Sequence, residues 1–377
     1  MTNVPVTMIN IAREILPLLR ENLVMPDTVN RDYSNDFIGR GATIVVEQPA
    51  VFIADEFGGT INLQDIVEPT VTVPMDKLAD VSFSVTAKEL ALTMTQFKNK
   101  YLKAAAAAIA EKVNQDGLSL YKGVYNFVGA SGSTPDALED FANAAKSLND
   151  SKAPMMDRFG AWDTASTAKF QVLDAIVNAE KSGSTEALRT GAIGNINGFT
   201  NYMTQAIKTH TAGGFTSLAD VTITTGAAGA KSIVLTSAAG TATTTLLVGD
   251  LFVLDGKQYV VTATTAAAVA GVVTAAIEPA LPIAFGAMAS VAVTFPDVTA
   301  RAHVANLAYQ RDAFIFVTRP LDTPPGVESY VTMDEESGLS LRVVMDYNIT
   351  TKVTTMSIDF LYDYVTAYPQ LATRILG

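Results

Sequence analysis

The stretch from Val71 to Ala110, VTVPMDKLADVSFSVTAKELALTMTQFKNKYLKAAAAAIA, changes its hydrophobic period partway along and so separates strand from helix. Val71, Val73 and Met75 alternate with polar or imino neighbours, and Val81, Phe83 and Val85 alternate with Asp80, Ser82 and Ser84. Side chains two apart share one face of a strand, so this half predicts half-buried strands. From Thr86 the period lengthens, and Phe97, Tyr101, Ala105, Ala108 and Ile109 form one helical stripe that continues toward Leu118 and Tyr121. The run Ala104 to Ala108 favours helix strongly, Thr86 with Glu89 matches a capping box, and Thr95 offers a second start. A long helix ending near Gly123 is expected.

On the N-terminal side, Ala42 to Glu47 is β-branched, and a polar, Gly-bearing middle with Asp55, Glu56, Gly58 and Gly59 separates it from Val71. The pair reads as a long two-stranded excursion, too thin to be stable without lying against something else. Further back, Met8, Ile11, Ile15, Leu18 and Leu19 share a helical face, with Arg13, Glu14, Arg20 and Glu21 on the others. That periodicity serves a detached amphipathic arm and a helix packed on its own domain equally, and Pro17 is expected to kink or divide it.

On the C-terminal side, Ser133, Thr134 and Pro135 are expected to open a helix through Ala145, Ala161 and Trp162 to close a strand, and Thr164 to Asn178 to form a helix. Gly183, Gly191, Gly194 and Gly198 mark loops. From about Gly214 to Val293 the composition shifts to Thr, Ala, Val and Gly, with short strands at Val221 to Thr224, Ser232 to Leu235, Leu251 to Leu254 and Gln258 to Thr262 and a turn at Asp255 and Gly256. This predicts a small antiparallel barrel inserted into the rest. Val261 to Ile277 carries no charge, but its β-branched residues and the following Glu278, Pro279 and Pro282 read as strands and not as a membrane span. After Pro296 a helix containing Ala302 to Leu307 is expected, and Met356, Ile358 and Phe360 alternate with Ser357 and Asp359 in a late strand.

The 377 residues suffice for two or three packed regions, and the absence of cysteine excludes disulfides, thiolate metal sites and a thiol nucleophile. Charged residues make up 17% of the chain, against roughly 25% in an average domain. Surface covered by neighbouring subunits would explain this, and so would a large Ala-rich and Thr-rich β region. The net charge of −12 disfavours a sequence-independent grip on DNA or anionic lipid. The first twenty residues lack a basic start, and Arg13 with Glu14 interrupts their apolar stretch, so no secretory signal is read and the chain is expected to stay in the cytoplasm.

The search for chemistry returns little. His210 and His303 lie in different segments with no neighbouring nucleophile pattern. Gly129, Ala130, Ser131, Gly132 and Ser133 approach a nucleophile elbow but lack its last glycine, and a helix is expected where the motif needs a strand. Gly191, Gly194 and Gly198 fit neither dinucleotide nor phosphate-loop spacing. Asp334, Glu335 and Glu336 read as a solvated turn, because consecutive carboxylates diverge and have no His partner. No catalytic, cofactor-binding or metal-binding residue is expected, and no cofactor.

Three stretches carry a resemblance. They are Leu23, Val24 and Val29 to Tyr33; Val71 to Lys77 leading to Val81, Phe83, Lys88, Glu89 and Leu90; and Asn306 to Phe314. With the order of elements, they resemble the major capsid proteins of tailed bacteriophages, in particular the short-tailed-phage coat family with an insertion domain. The resemblance implies an α+β capsid fold. It assigns an N-terminal arm over 1–36, an extended loop ribbon and peripheral-domain strands over 37–85, a spine helix over 86–123, and peripheral/axial domain over 124–213. An inserted β-barrel domain over 214–296, the axial domain continued over 297–350 and a peripheral-domain strand with the C-terminus over 351–377 complete it.

The resemblance also implies an icosahedral lattice of self-assembled pentamers and hexamers, built through a precursor shell with scaffolding protein and portal in the host cytoplasm. The shell would enclose DNA without sequence-specific binding and involve no membrane, and decoration protein is a further candidate partner. Some proteins of this fold crosslink through a lysine on the loop, but Asp32 to Met75 contains no lysine, so noncovalent joints are expected. An encapsulin-like compartment shares the architecture, although the insertion favours the phage reading, and a β-rich surface binding module would require export.

Overall fold

The computed structural model describes residues 8–32, 44–47, 56, 63, 65–66, 68, 70–86, 94–178, 180, 186–218, 220–238, 244–285, 291–297, 301–334, 338–350 and 353–377. The chain divides into two compact units, one formed by Met1–Asn114 with Ile315–Ala367 and the other by Gln115–Phe314 with Tyr368–Gly377.

In the first unit, the late strand foreseen around Met356 is the 14-residue β19 (Val353–Thr366). It pairs on one side with β18 (Ser340–Asn348) and on the other with β3 (Lys77–Thr86), so Ile358 stands between Val343 and Val81. β17 (Glu328–Met333) extends the sheet beyond β18, and β16 (Phe314–Thr318) also pairs with β19. The expected ribbon is present: β1 (Ile44–Glu47) and β2 (Thr70–Val73) are antiparallel, with Ile44 opposite Val73 and Glu47 opposite Thr70. The tip residues Asp55, Gly58 and Gly59 lie outside the described residues, as do Tyr33, Lys88, Glu89 and Leu90 and therefore the capping box.

Helix α1 (Met8–Asn22) buries Ile11, Ala12, Ile15 and Leu19 against β17 and β18, so this segment packs on its own unit and is no detached arm. Pro17 does not divide it. The proline sits on the exposed face, where water can serve the carbonyl that loses its partner. The short α2 (Met25–Thr28) begins where Asn114 Oδ1 accepts from the Val24 and Met25 amides at 3.2 and 3.1 Å, while Asn114 Nδ2 donates to Asn22 O at 3.0 Å.

The long helix begins in the described residues at α3 (Met94–Phe97), continues through a π turn at Lys98–Leu102 into α4 (Lys103–Leu118), and tightens to a 3₁₀ turn at Ser119–Gly123. Its buried stripe is Phe97, Leu102, Ala105, Ala106, Ile109, Ala110 and Val113. Ala108, expected on that stripe, is exposed, because the wide π turn shifts the phase and brings Leu102 under Phe97.

The second unit holds a sheet ordered β4 (Phe127–Gly129), β20 (Ala372–Leu376), β15 (Ala302–Gln310), β5 (Arg158–Trp162), β7 (Phe199–Met203) and β6 (Asn195–Ile196), with β8 (Thr209–Thr211) also on β15. Three expectations fail here. Ala302 to Leu307 is strand, not helix: Leu307 pairs with Ala161 on one side and Arg374 on the other, and burial between two strands overrides alanine's helix preference. Helix α5 runs Leu138–Asp150 and so starts after Ser133–Pro135, where Asp140 Oδ2 reaches back to accept from the Asp136 and Ala137 amides, both at 3.0 Å. The expected Thr164–Asn178 helix is two, α6 (Thr164–Phe170) and α7 (Asp174–Val177), because the chain turns at Gln171–Leu173 to bury Phe170 and Ile176. The stretch 315–350 belongs to the first unit, where β17 and β18 extend the sheet of β19, and β20 belongs to the second.

Phe141, Trp162 and Phe170 form the aromatic centre of this sheet's core, with ring centroids 4.6–4.8 Å apart. The barrel is closed: β9 (Val221–Thr225), β10 (Ser232–Ser237), β13 (Val272–Glu278), β12 (Lys257–Val261), β11 (Leu251–Leu254) and β14 (Val291–Thr294) pair in that circular order. Alternate residues such as Ile223, Leu235, Phe252, Tyr259 and Ile277 fill it. The uncharged Val261–Ile277 stretch thus supplies a barrel strand, and no described helix is long and apolar enough to cross a membrane.

Candidate functional site

The chain leaves for the barrel through β8 and returns through β15, and these strands pair with His210 opposite His303. Two histidines that the sequence keeps in separate segments therefore meet, with ring centroids 5.2 Å apart. The His210 Nδ1 lies 3.1 Å from the Tyr121 hydroxyl and its Nε2 3.1 Å from Asp250 Oδ1. Asp250 also accepts from the Gly213 and Leu247 amides, at 3.1 and 2.8 Å to Oδ2. Gly213 is required by this closeness, since a Cβ there would stand 2.3 Å from Thr245 O.

Arg374, from the last strand, reaches the same place. Its Nε donates to Val124 O at 2.9 Å and its Nη1 to Gly249 O at 2.7 Å, and its guanidinium lies 5.1 Å from the Tyr121 ring centroid. Burial lowers its pKa to about 9, opposed by the fields of Tyr121, Asp297 and Asp250. It remains a cation at neutral pH, balanced by buried carboxylates. Burial likewise raises the Tyr121 hydroxyl, with Arg374 opposing and Asp250 reinforcing the shift.

On the other side of the root, His303 Nδ1 is 2.8 Å from Asp297 Oδ1, and the Ser131 hydroxyl contacts the same carboxylate oxygen while lying 3.4 Å from Nδ1. A Ser, a His and an Asp together invite comparison with a nucleophile relay. Such a relay needs the hydroxyl on one ring nitrogen and the carboxylate on the other. Here both sit at Nδ1, Ser131 directs its hydrogen to Asp297, and all but Ser131 are buried. The arrangement joins segments and does not activate an oxygen.

The other residues weighed from sequence are dispersed. Gly129–Ser133 follows a strand, β4, and not the helix expected there, but it leads into a turn with no helix until Leu138, so Ser131 sits on no elbow. Gly191, Gly194 and Gly198 all have positive φ, and Asn197–Gly198 makes the tight turn between β6 and β7. Asp334 accepts from Arg20 at 3.3 Å, and Glu335 and Glu336 lie outside the described residues. No group of metal-ligating side chains occurs among the described residues. The sequence reading missed Tyr121, Asp250, Asp297 and Arg374. The available signal was isolated acids in a stretch otherwise poor in charge, the usual mark of a buried polar partner.

Two exposed apolar features complete the picture. The ribbon's root is fixed by the buried Asp363, which accepts from the Met75 amide at 3.1 Å and pairs with Lys77 at 3.3 Å, while Leu63 and Ile66, between the two strands in sequence, are 89% and 70% exposed. In the second unit, buried Arg158 donates to Pro154 O, Ala153 O and Asn149 Oδ1 and so holds a turn that leaves Met155 and Met156 about three-quarters exposed.

No family model matches the chain, and no curated protein matches it. Among solved structures, one from Mycobacterium phage Che8 aligns over 94% of this chain and 90% of its own, at 12% identity and a TM-score of 0.50. The capsid structure of the cyanophage P-SCSP1u aligns over 90% and 84% at 11% identity and 0.47, and a virus-like particle from Pyrococcus furiosus over 98% and 98% at 9% identity and 0.45. The first of these shows that the chain shares its fold with a phage protein along nearly its whole length.

Proposed function

We propose that this chain is a major capsid protein that self-assembles into the icosahedral shell enclosing phage DNA. The observation that carries the reading is the fold shared with the Mycobacterium phage Che8 structure over 94% of the chain. The ribbon supports it physically. Two four-residue strands are too thin to be stable alone, and Leu63 and Ile66 expose apolar area that a neighbouring subunit would bury. Repeated head-to-tail contacts of that kind close into rings, here pentamers and hexamers. The net charge of −12 suits a container whose wall must not grip phosphates. Scaffolding protein, portal, decoration protein and cytoplasmic assembly belong to this proposal, as do the peripheral and axial roles of the two units. So does the standing of 214–296 as an inserted domain.

Coexpression with a scaffolding protein tests it. Sedimentation and negative-stain microscopy should show closed megadalton shells, and a stable monomer under every assembly condition would overturn the reading. Because 32–75 lacks lysine and the chain lacks cysteine, boiling the shells in detergent without reductant should release one band near 39.9 kDa. A covalent ladder would show that the subunit joints are not noncovalent.

A further inference from the structure

The sheet of the second unit ends at β4, and among the described residues no strand lies beyond it. Such an edge offers unpaired amides and carbonyls to any extended chain that comes near. Asn126 O accepts from Arg374 N of β20 at 2.9 Å, so by the alternation of a parallel ladder Phe127 and Gly129 turn their backbone groups away from β20. Both residues line an open cleft of about 870 Å³, walled by Lys146 and Ser147 of α5 on one side and Lys257 of the barrel on the other. The edge is therefore within reach of another chain.

The barrel closes it at one point. Alternation along β12 puts Tyr259 inside the barrel and Gln258 outside. The Gln258 Nε2 donates to Phe127 O at 2.8 Å, and its Oε1 accepts from Phe127 N at 2.9 Å. A primary amide carries a donor and an acceptor side by side, so this is the pair of bonds that one residue of an antiparallel neighbouring strand would make. Lys257 stands exposed next to it, and lysine is a residue that sheet edges use against pairing.

We infer that Gln258 is an edge guard: its amide occupies the place of an added strand on β4 and keeps this sheet from pairing with the same edge of a second copy of the chain. Two β4 edges are self-complementary when antiparallel, and every copy in solution carries one. Two Lys257 ammonium groups brought together there would repel each other. The inference does not depend on the capsid reading, because it concerns a contact that the single subunit prevents.

Full-length Gln258→Met keeps the length of the side chain and removes both bonds. It is compared with the wild type by amide hydrogen exchange at Phe127 and by sedimentation velocity, over concentrations at which the wild type stays unassembled. The wild-type Phe127 amide should be protected at every concentration. In the dilute variant it should exchange about five- to tenfold faster, the loss of one net hydrogen bond. As concentration rises, its protection should return while dimers absent from the wild type appear. A wild-type Phe127 amide that exchanges as an open one, or unchanged protection in the dilute variant, would overturn Gln258 as its partner. A variant that stays monomeric with that amide open at every concentration would overturn the guard. Should Gln258→Met fail to fold, Gln258→Ala is read in the same two ways, and the wild-type exchange at Phe127 tests the pairing in either case.

Discussion

The ribbon and the barrel are both β excursions, yet they solve opposite problems. The barrel closes its strands into a ring, fills the interior with its own side chains and is tied down by a buried network of Tyr121, His210, Asp250, Asp297, His303 and Arg374. The ribbon has two paired strands, a root held by Asp363 through one amide and one half-exposed lysine, and apolar side chains in the open. A closed excursion satisfies its own hydrogen bonds and apolar surface, and its joint can afford to be rigid. An open one leaves both for another chain.

The largest effect that would break this contrast lies at Arg374. Arg374→Met removes the buried cation and leaves Asp250 and Asp297 uncompensated, which should destabilise the fold by about 3–5 kcal/mol in chemical denaturation. A loss below about 1 kcal/mol, as for an exposed ion pair, would mean the root is no tighter than the ribbon's. At the ribbon, Asp363→Asn should cost only about 1 kcal/mol, because Lys77 is partly in water and the amide can still accept from Met75. Faster hydrogen exchange should appear at Ile44–Glu47 and Thr70–Val73 and leave barrel amides unchanged.

Leu63→Ser with Ile66→Ser should change subunit stability by less than about 0.5 kcal/mol, since both side chains are exposed, while shell yield falls sharply. Normal shells from this double variant would remove the ribbon from the lattice contact. The smallest effect concerns Tyr259, inside the barrel, whose hydroxyl burial raises, with Asp255 adding to the shift. The folded protein keeps that proton above pH about 10, where the unfolded chain gives it up, so this contribution is full below that pH and is lost as pH rises past it. Tyr259→Phe should therefore lose stability less steeply with alkali than the wild type. Equal slopes in urea titrations would show that the ring is not held dry.

Much of this was legible along the chain. β3 and the helix after it follow a change of period that any burial on one face enforces, and the barrel strands announced themselves by alternation and turns. What misled was composition without context. The alanines of β15 favour helix until two flanking strands bury them, and Pro17 breaks helices in principle but sits where solvent relieves it. The root network was illegible for a simpler reason. His210, Asp250, Asp297 and Arg374 follow no spacing rule, because each comes from a different strand or turn.

The sequence by itself therefore determined what short-range sterics and one-sided burial control: the strands, the helix, the low charge and the absence of cysteine or a loop lysine. Only the tertiary structure decided what depends on closure between distant segments. It packed α1 on its own unit, placed β15 between β5 and β20, and brought two histidines, two aspartates and an arginine together at the barrel's root. Periodicity records which face of an element is buried, whereas the partner that buries it is set by the sum of all such faces, and no local stretch carries that sum.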